Sequence, residues 1–203
     1  GENWSLGVVP TSDDDVSLLL GTWLTVTLSD GETANFNTLT VRNSGGVAMT
    51  KLILIGNLGT AGDITIKDSG ILEQRNMVQQ TISGDIIVES EGLLTHSNNS
   101  DSHIYNLDFV AENIDIQSGG LVGLKAGSLS YGRGYQGAYV IGPGYGPAPG
   151  QAGIGAGGAG GHAGVGEDSG AIAGGSPAYG DRNNPRTLGS SGGMGGSVGG
   201  GPG

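Results

Sequence analysis

Ile64-Thr65-Ile66-Lys67-Asp68-Ser69-Gly70-Ile71 decides the fold of this chain, because its pattern keeps returning. Leu39-Thr40-Val41-Arg42-Asn43-Ser44-Gly45-Gly46-Val47 precedes it. Ile86-Ile87-Val88-Glu89-Ser90-Glu91-Gly92-Leu93 and Ile114-Asp115-Ile116-Gln117-Ser118-Gly119-Gly120-Leu121 follow. Each unit is a short β-branched strand, a polar turn, a glycine and a second apolar residue. Gly46, Gly70, Gly92 and Gly120 lie 24, 22 and 28 residues apart, and repeats of that length are the mark of a solenoid. A looser first copy runs from Val16 through Gly21 into Trp23-Leu24-Thr25-Val26.

No single strand of this length is stable alone; stacking one coil on the next makes a continuous ladder and a continuous core. Alternation places Ile64 and Ile66, Ile86 and Val88, and Ile114 and Ile116 in apolar columns inside the stack. The Ser-Gly and Glu-Gly pairs mark corners, where positive φ favours glycine. The expected fold is all-β: a right-handed parallel β-helix over residues 1–131. A β-sandwich is the rival, but its turn signals come every 8–12 residues and its units do not resemble one another. Leu72 to Gln80 is the only stretch that tolerates a helical turn.

From residue 132 to 203 the composition changes, with 28 glycines in 72 residues. A flexible linker would hold little but Ser and Gly, whereas Tyr135, Tyr139, Ile154, Val165, Ile172, Tyr179, Leu188, Met194 and Val198 stud this tract. A collagen strand would keep glycine at every third residue without a break; here that frame holds only over Gly155, Gly158, Gly161 and Gly164, and again over Gly193, Gly196 and Gly199. Interrupted frames of this kind predict a second module, 132–203, of short polyglycine II-like helices. Their backbone groups have no internal partners and must bond between helices. Ordering so much glycine is entropically costly, so a template is expected, with the adjacent β-helix end in that role.

The net charge of −11 is uneven: residues 1–131 carry 16 acids and 5 bases, residues 132–203 three of each. The acidic half argues against nucleic acid and anionic lipid as partners, since phosphate binding is driven by Lys and Arg. The chain has no cysteine, which removes disulfides, zinc–thiolate sites and thiol catalysis. No apolar run approaches the length of a membrane span. The chain begins at Gly1 and stops at Gly203, and the expectation is a processed or excised piece of a longer protein.

Two segments resemble a known group. Asn3-Trp4-Ser5-Leu6-Gly7-Val8-Val9-Pro10-Thr11-Ser12-Asp13-Asp14-Asp15-Val16 resembles the start of large bacterial surface and secreted repeat proteins, where such a segment opens a β-helix. The resemblance implies a cap, with Trp4 over the open core, and a capped end protects a ladder edge from aggregation. Gly157-Gly158-Ala159-Gly160-Gly161-His162-Ala163-Gly164, then Ala178-Tyr179-Gly180-Asp181, Pro185 and Leu188-Gly189-Ser190-Ser191-Gly192-Gly193 resembles the glycine-rich insertions of extracellular β-helix proteins. Ala152, Ala156, Ala159 and Ala163 replace some of the glycines of that pattern. The resemblance implies an extracellular or cell-surface setting.

The candidates for chemistry are few. His96, His103 and His162 show no metal-binding spacing. Asp13, Asp14 and Asp15 are the only metal candidate, a calcium site made of clustered oxygens; the competing reading is a turn that bonds its own backbone. Glu167, Asp168 and Asp181 evoke a glycosidase carboxylate pair, but no face of the repeat stacks acids and bases, and Lys51, Lys67 and Lys125 are scattered. Gly155, Gly157 and Gly160 match a dinucleotide fingerprint that any glycine tract produces. Asn3-Trp4-Ser5 and Asn98-Asn99-Ser100 are glycosylation acceptors only in a eukaryotic setting. Tyr131, Tyr135, Tyr139 and Tyr145, with Asn183 and Asn184, form the candidate interaction surface; the competing reading packs the tyrosines at the junction of the modules.

The expected function is therefore structural and non-enzymatic: a self-associating subunit of a surface fibre or matrix, or a partner of another surface protein, without cofactor. The alternative is an adhesin or receptor-binding module that grips glycan or protein through the tyrosine loops. A polysaccharide-active β-helix enzyme ranks third.

Overall fold

A computed structural model of the protein describes residues 8–20, 23–45, 48–123, 135, 143–153, 160, 166, 175–180, 183 and 190–194. Among them are twelve strands and no helix. Two compact units divide the chain: residues 1–97 with 105–131, and residues 98–104 with 132–203.

The first unit is a parallel β-solenoid of about four turns. One five-stranded sheet stacks β1 (Asp15–Leu20), β3 (Thr33–Asn43), β5 (Asn57–Ile66), β8 (Ile86–Val88) and β11 (Ile114–Ile116) in that order. The other stacks β2 (Leu24–Leu28), β4 (Thr50–Leu54), β6 (Gly70–Gln74), β9 (Leu93–His96) and β12 (Leu121–Val122). Every pairing is parallel, and the register runs Val16–Leu39–Ile64–Ile86–Ile114 and Leu18–Val41–Ile66–Val88–Ile116. In the second sheet Val26, Leu52, Leu72, Leu94 and Val122 are in register. The repeated Ile-x-Ile units thus stack in the columns that the alternation predicts, buried at Ile64, Ile66, Ile86 and Val88 but exposed at Ile114 and Ile116 of the last coil. The loose first copy at Val16 is a genuine coil.

These columns are the core. Leu39, Val41, Ile64, Ile66, Ile86 and Val88 from one sheet meet Leu52, Leu54, Leu72 and Leu94 from the other, all buried. In the first sheet the outer positions are only partly buried and include Thr40, Arg42 and Thr65; in the second the outer face is buried too, at Ile53, Ile71, Glu73, Leu93 and Thr95.

The corner glycines have a different role from the one expected. Positive φ falls one residue earlier, on Ser69 (62°), Glu91 (61°) and Gly119 (84°), with Asp68 at 48°. Gly70, Gly92 and Gly120 are required by space. A Cβ on each would collide with the carbonyl oxygen of Val41, Ile66 and Val88 respectively, one coil below.

Leu72–Gln80, the stretch that tolerates a helical turn, forms none: β6 fills its start, and two inward amides organise the rest. Gln74 and Gln80 are fully buried. Gln80 Oε1 accepts the amide of Leu58 (2.8 Å), and Gln74 Oε1 accepts that of Asp108 (2.8 Å). Gln74 Nε2 donates to Asn76 Oδ1 (2.9 Å) and Val78 O (2.7 Å). Asn76 Nδ2 reaches Ile55 O and Gly56 O, at 2.9 and 3.0 Å. Where the third side of the coil has only the two-residue pairing of β7 (Gln80–Thr81) with β10 (Phe109–Val110), side-chain amides do the work of a ladder.

The second unit is held by backbone and serine hydrogen bonds. Ser191 N donates to Tyr145 O (2.9 Å), Gly150 N to Ser191 O (3.0 Å) and Gly144 N to Gly150 O (2.9 Å). Ser190 Oγ accepts from Ala148 N (2.9 Å), and Ser191 Oγ from Tyr145 N (2.7 Å). A Cβ on Gly144, Gly160 or Gly193 would meet the backbone oxygens of Ser191, Ser190 and Gln151. Ser190 and Ser191 are both buried.

Candidate functional site

The three adjacent acids of the first coil turn to separate partners. Asp14 Oδ2 accepts the amide and the hydroxyl of Thr11, each at 2.8 Å. The amide, then the hydroxyl, holds the Asp14 carboxyl below its ordinary value. Asp15 Oδ1 instead accepts Asn37 Nδ2 (2.9 Å) and Thr38 Oγ1 (2.8 Å) of the next coil. Consecutive residues of an extended chain point to opposite sides, and among the described residues no group of three acids or histidines converges on one point.

Of the candidate interaction residues, Tyr131, Tyr139 and Asn184 lie outside the described residues, as do His162, Glu167, Asp168, Asp181 and Trp4. Tyr135 is half-buried in the second unit, edge-on to His103 with ring centroids 6.4 Å apart. Gly146 makes that seat available. Its φ is +106°, and a Cβ there would stand 2.8 Å from the Tyr135 ring and 2.6 Å from Ser190 Oγ. Tyr145 is half-buried, with its backbone tied to Ser191. Asn183 is exposed. His96 is buried in the first unit, with Nδ1 2.7 Å from Ser97 O.

The sequence reading missed a buried ionic cluster on the second sheet. Glu73 is only 2% exposed, with Lys51 Nζ at 3.0 Å and Arg75 Nη2 at 2.8 Å. Ser97 donates to the same carboxylate, and Arg75 Nε donates to Ser97 Oγ at 2.8 Å. Burial pushes the Glu73 carboxyl up. The hydrogen bonds from Ser97, Arg75 and Lys51 outweigh it and hold the group below its ordinary value. The cluster ties three successive coils together. Register was the signal that could have found it: Lys51 and Glu73 share an outer face one coil apart, and Glu73 lies opposite Thr95.

The surface with the clearest capacity for association is the last coil. Ile64 and Ile86 are fully buried, but Ile114, next in their column, is 48% exposed and Ile116 is 52% exposed. Leu121, Val122 and Val110 are exposed beside them. Among the described residues nothing pairs with the outer edges of β11 and β12. An apolar patch joined to open backbone edges is a template for another chain. The first coil differs, since its Leu18 is buried.

Comparison of the chain with protein-family models, with curated proteins and with solved structures gives no match.

Proposed function

We propose that the protein is an extracellular structural subunit that self-associates through the last coil of its solenoid, as part of a surface fibre or matrix. The exposed column end at Ile114, Ile116, Leu121 and Val122, with strand edges that no described residue pairs, carries the reading. A solenoid propagates by adding coils, and a second copy brings the same strands and the same apolar columns. The extracellular setting rests on the resemblance of the opening segment and the glycine tract to surface proteins. We take the solenoid as right-handed and the second unit as polyglycine II-like. Hydrogen bonds between distant, glycine-bearing segments and the lack of room for a Cβ at Gly144, Gly160 and Gly193 support the latter.

The test is sedimentation velocity and negative-stain electron microscopy from micromolar to millimolar protein. Mass that rises with concentration, with ordered particles larger than a monomer, is the expected result. A monomer throughout that range sinks the reading.

A further inference from the structure

The corner between the two sheets carries a polar cleft of about 300 Å³, walled by Arg42, Ser44, Asp68, Ser69 and Glu91 of three successive coils. Three features set it apart. First, Asp68, Ser69 and Glu91 are the described non-glycine residues with positive φ, and all line this one cleft. Gly119 fills the equivalent slot in the last coil. Glycine is the cheap residue in that conformation, so side chains are kept here against the backbone's preference, a sign of function when they share a site. Second, among the described residues Arg42 has no ion pair, whereas the neighbouring Lys67 is paired with Glu89 at 3.4 Å. Third, the walls are rigid: Asn43 N donates to Asp68 O, Asp68 N to Ser90 O and Glu91 N to Gly119 O, at 3.0–3.1 Å. Ser69 Oγ donates to Glu91 Oε2 at 3.1 Å.

We infer that this cleft binds a hydroxyl group pair of an uncharged saccharide. Its lining combines groups that only accept (Asp68, Glu91), a group that only donates (Arg42) and hydroxyls that do both. That set is complementary to neighbouring ring hydroxyls, each of which donates to a carboxylate while accepting from the guanidinium. A carboxylate or phosphate ligand meets two acids in the cleft and a chain charge of −11; a metal cation meets Arg42. The cleft's lining is more polar than apolar, unlike the mostly apolar pockets that take drug-like molecules. The corner of the first coil, between β1 and β2, bears Trp23, which is 66% exposed. An exposed indole on the same edge of the solenoid offers a face for the apolar side of a sugar ring. The ligand therefore runs along the corner, across successive coils. The site is separate from the last coil and does not depend on self-association.

The test is an NMR titration of the full chain with neutral gluco-, manno- and galacto-oligosaccharides, beside glucuronic acid and calcium chloride. Saturable shifts at Arg42, Ser44, Asp68, Ser69 and Glu91 with a neutral oligosaccharide are expected, with Kd on the order of 1 mM for so open a polar site. Arg42→Gln and Glu91→Gly should each weaken binding at least tenfold; glycine at position 91 suits the backbone, so loss there is not misfolding, and unchanged thermal unfolding checks this. The inference is overturned if no neutral oligosaccharide gives saturable shifts, or if the shifts fall on Tyr135 and Tyr145 instead. It is equally overturned if glucuronic acid or calcium moves the cleft residues as strongly, or if both variants bind like the parent.

Discussion

At Glu73 a single carboxylate gathers a lysine and a serine from the neighbouring coils and an arginine from its own. Its pKa is depressed below the ordinary 4.5, so the folded state holds the proton less tightly than the unfolded chain. The stabilisation is then complete above the unfolded pKa and is lost as pH falls through the folded one. Glu73→Gln should cost about 2 kcal/mol at neutral pH, the scale of hydrogen bonds to a charged group. The full cost of an orphaned buried charge does not apply, because Lys51 and Arg75 keep contact with water at 19% and 37% exposure. Urea unfolding against pH should show the gap between parent and variant widest above about pH 5 and closing below about pH 4. A gap that widens in acid would contradict the sign. Gly92 is a second position where one atom decides. Its Cβ would run into the carbonyl of Ile66, a backbone group that cannot move without breaking a ladder. Gly92→Ala should cost about 3 kcal/mol in the same assay, at the upper end of overpacking penalties. Were positive φ the issue, the harm would fall at Glu91 instead.

Strand columns and side-chain amides divide the labour in each coil, and they differ in how well a sequence shows them. The Ile-x-Ile units were legible because β-branched alternation has one physical reading, a strand with a buried face. The length of one coil followed from their spacing. The second sheet was less plain: Thr50-Lys51-Leu52-Ile53-Leu54 has no strict alternation, since Ile53 is buried along with Leu52 and Leu54. Gln74 and Gln80 were illegible, because an inward amide looks like a surface residue until its backbone partners on other coils are known. The corner cleft was hidden for a related reason, as it needs residues 42, 68 and 91 to be stacked by register before their charges mean anything. The tyrosine surface stays half-read, with Tyr135 and Tyr145 placed in the second unit and half-buried. If the amides substitute for a ladder, Gln74→Leu should orphan the Asp108 amide, while Val78 O keeps its bond from Gln80 Nε2, and cost about 1–3 kcal/mol. Hydrogen exchange should speed at Asp108 while Ile64 and Ile66 in the sheet stay protected. Uniform loss of protection would mean that Gln74 supports the whole solenoid and not this side of it.

The two ends of the solenoid are unlike, and this asymmetry governs how copies can meet. Leu18 in the first coil is 7% exposed, while its column partner Ile116 in the last coil is 52% exposed. A filament needs first coil and last coil to match, as one heterologous contact repeated without closure; two last coils facing each other make a closed pair about a two-fold axis. The buried Leu18 favours the closed pair as the first step, with any fibre growing from such pairs by other surfaces. Ile116→Lys tests this economically. The side chain is already half in water, so the monomer should lose less than about 1 kcal/mol, whereas a buried lysine at the centre of a paired end has no partner and should abolish association. Sedimentation should then show the parent approaching twice the monomer mass and the variant a monomer of unchanged thermal stability. A parent mass that climbs without limit, with the variant still monomeric, would mean that the first coil opens to receive the last. A variant that associates as well as the parent would move the contact away from the solenoid end altogether.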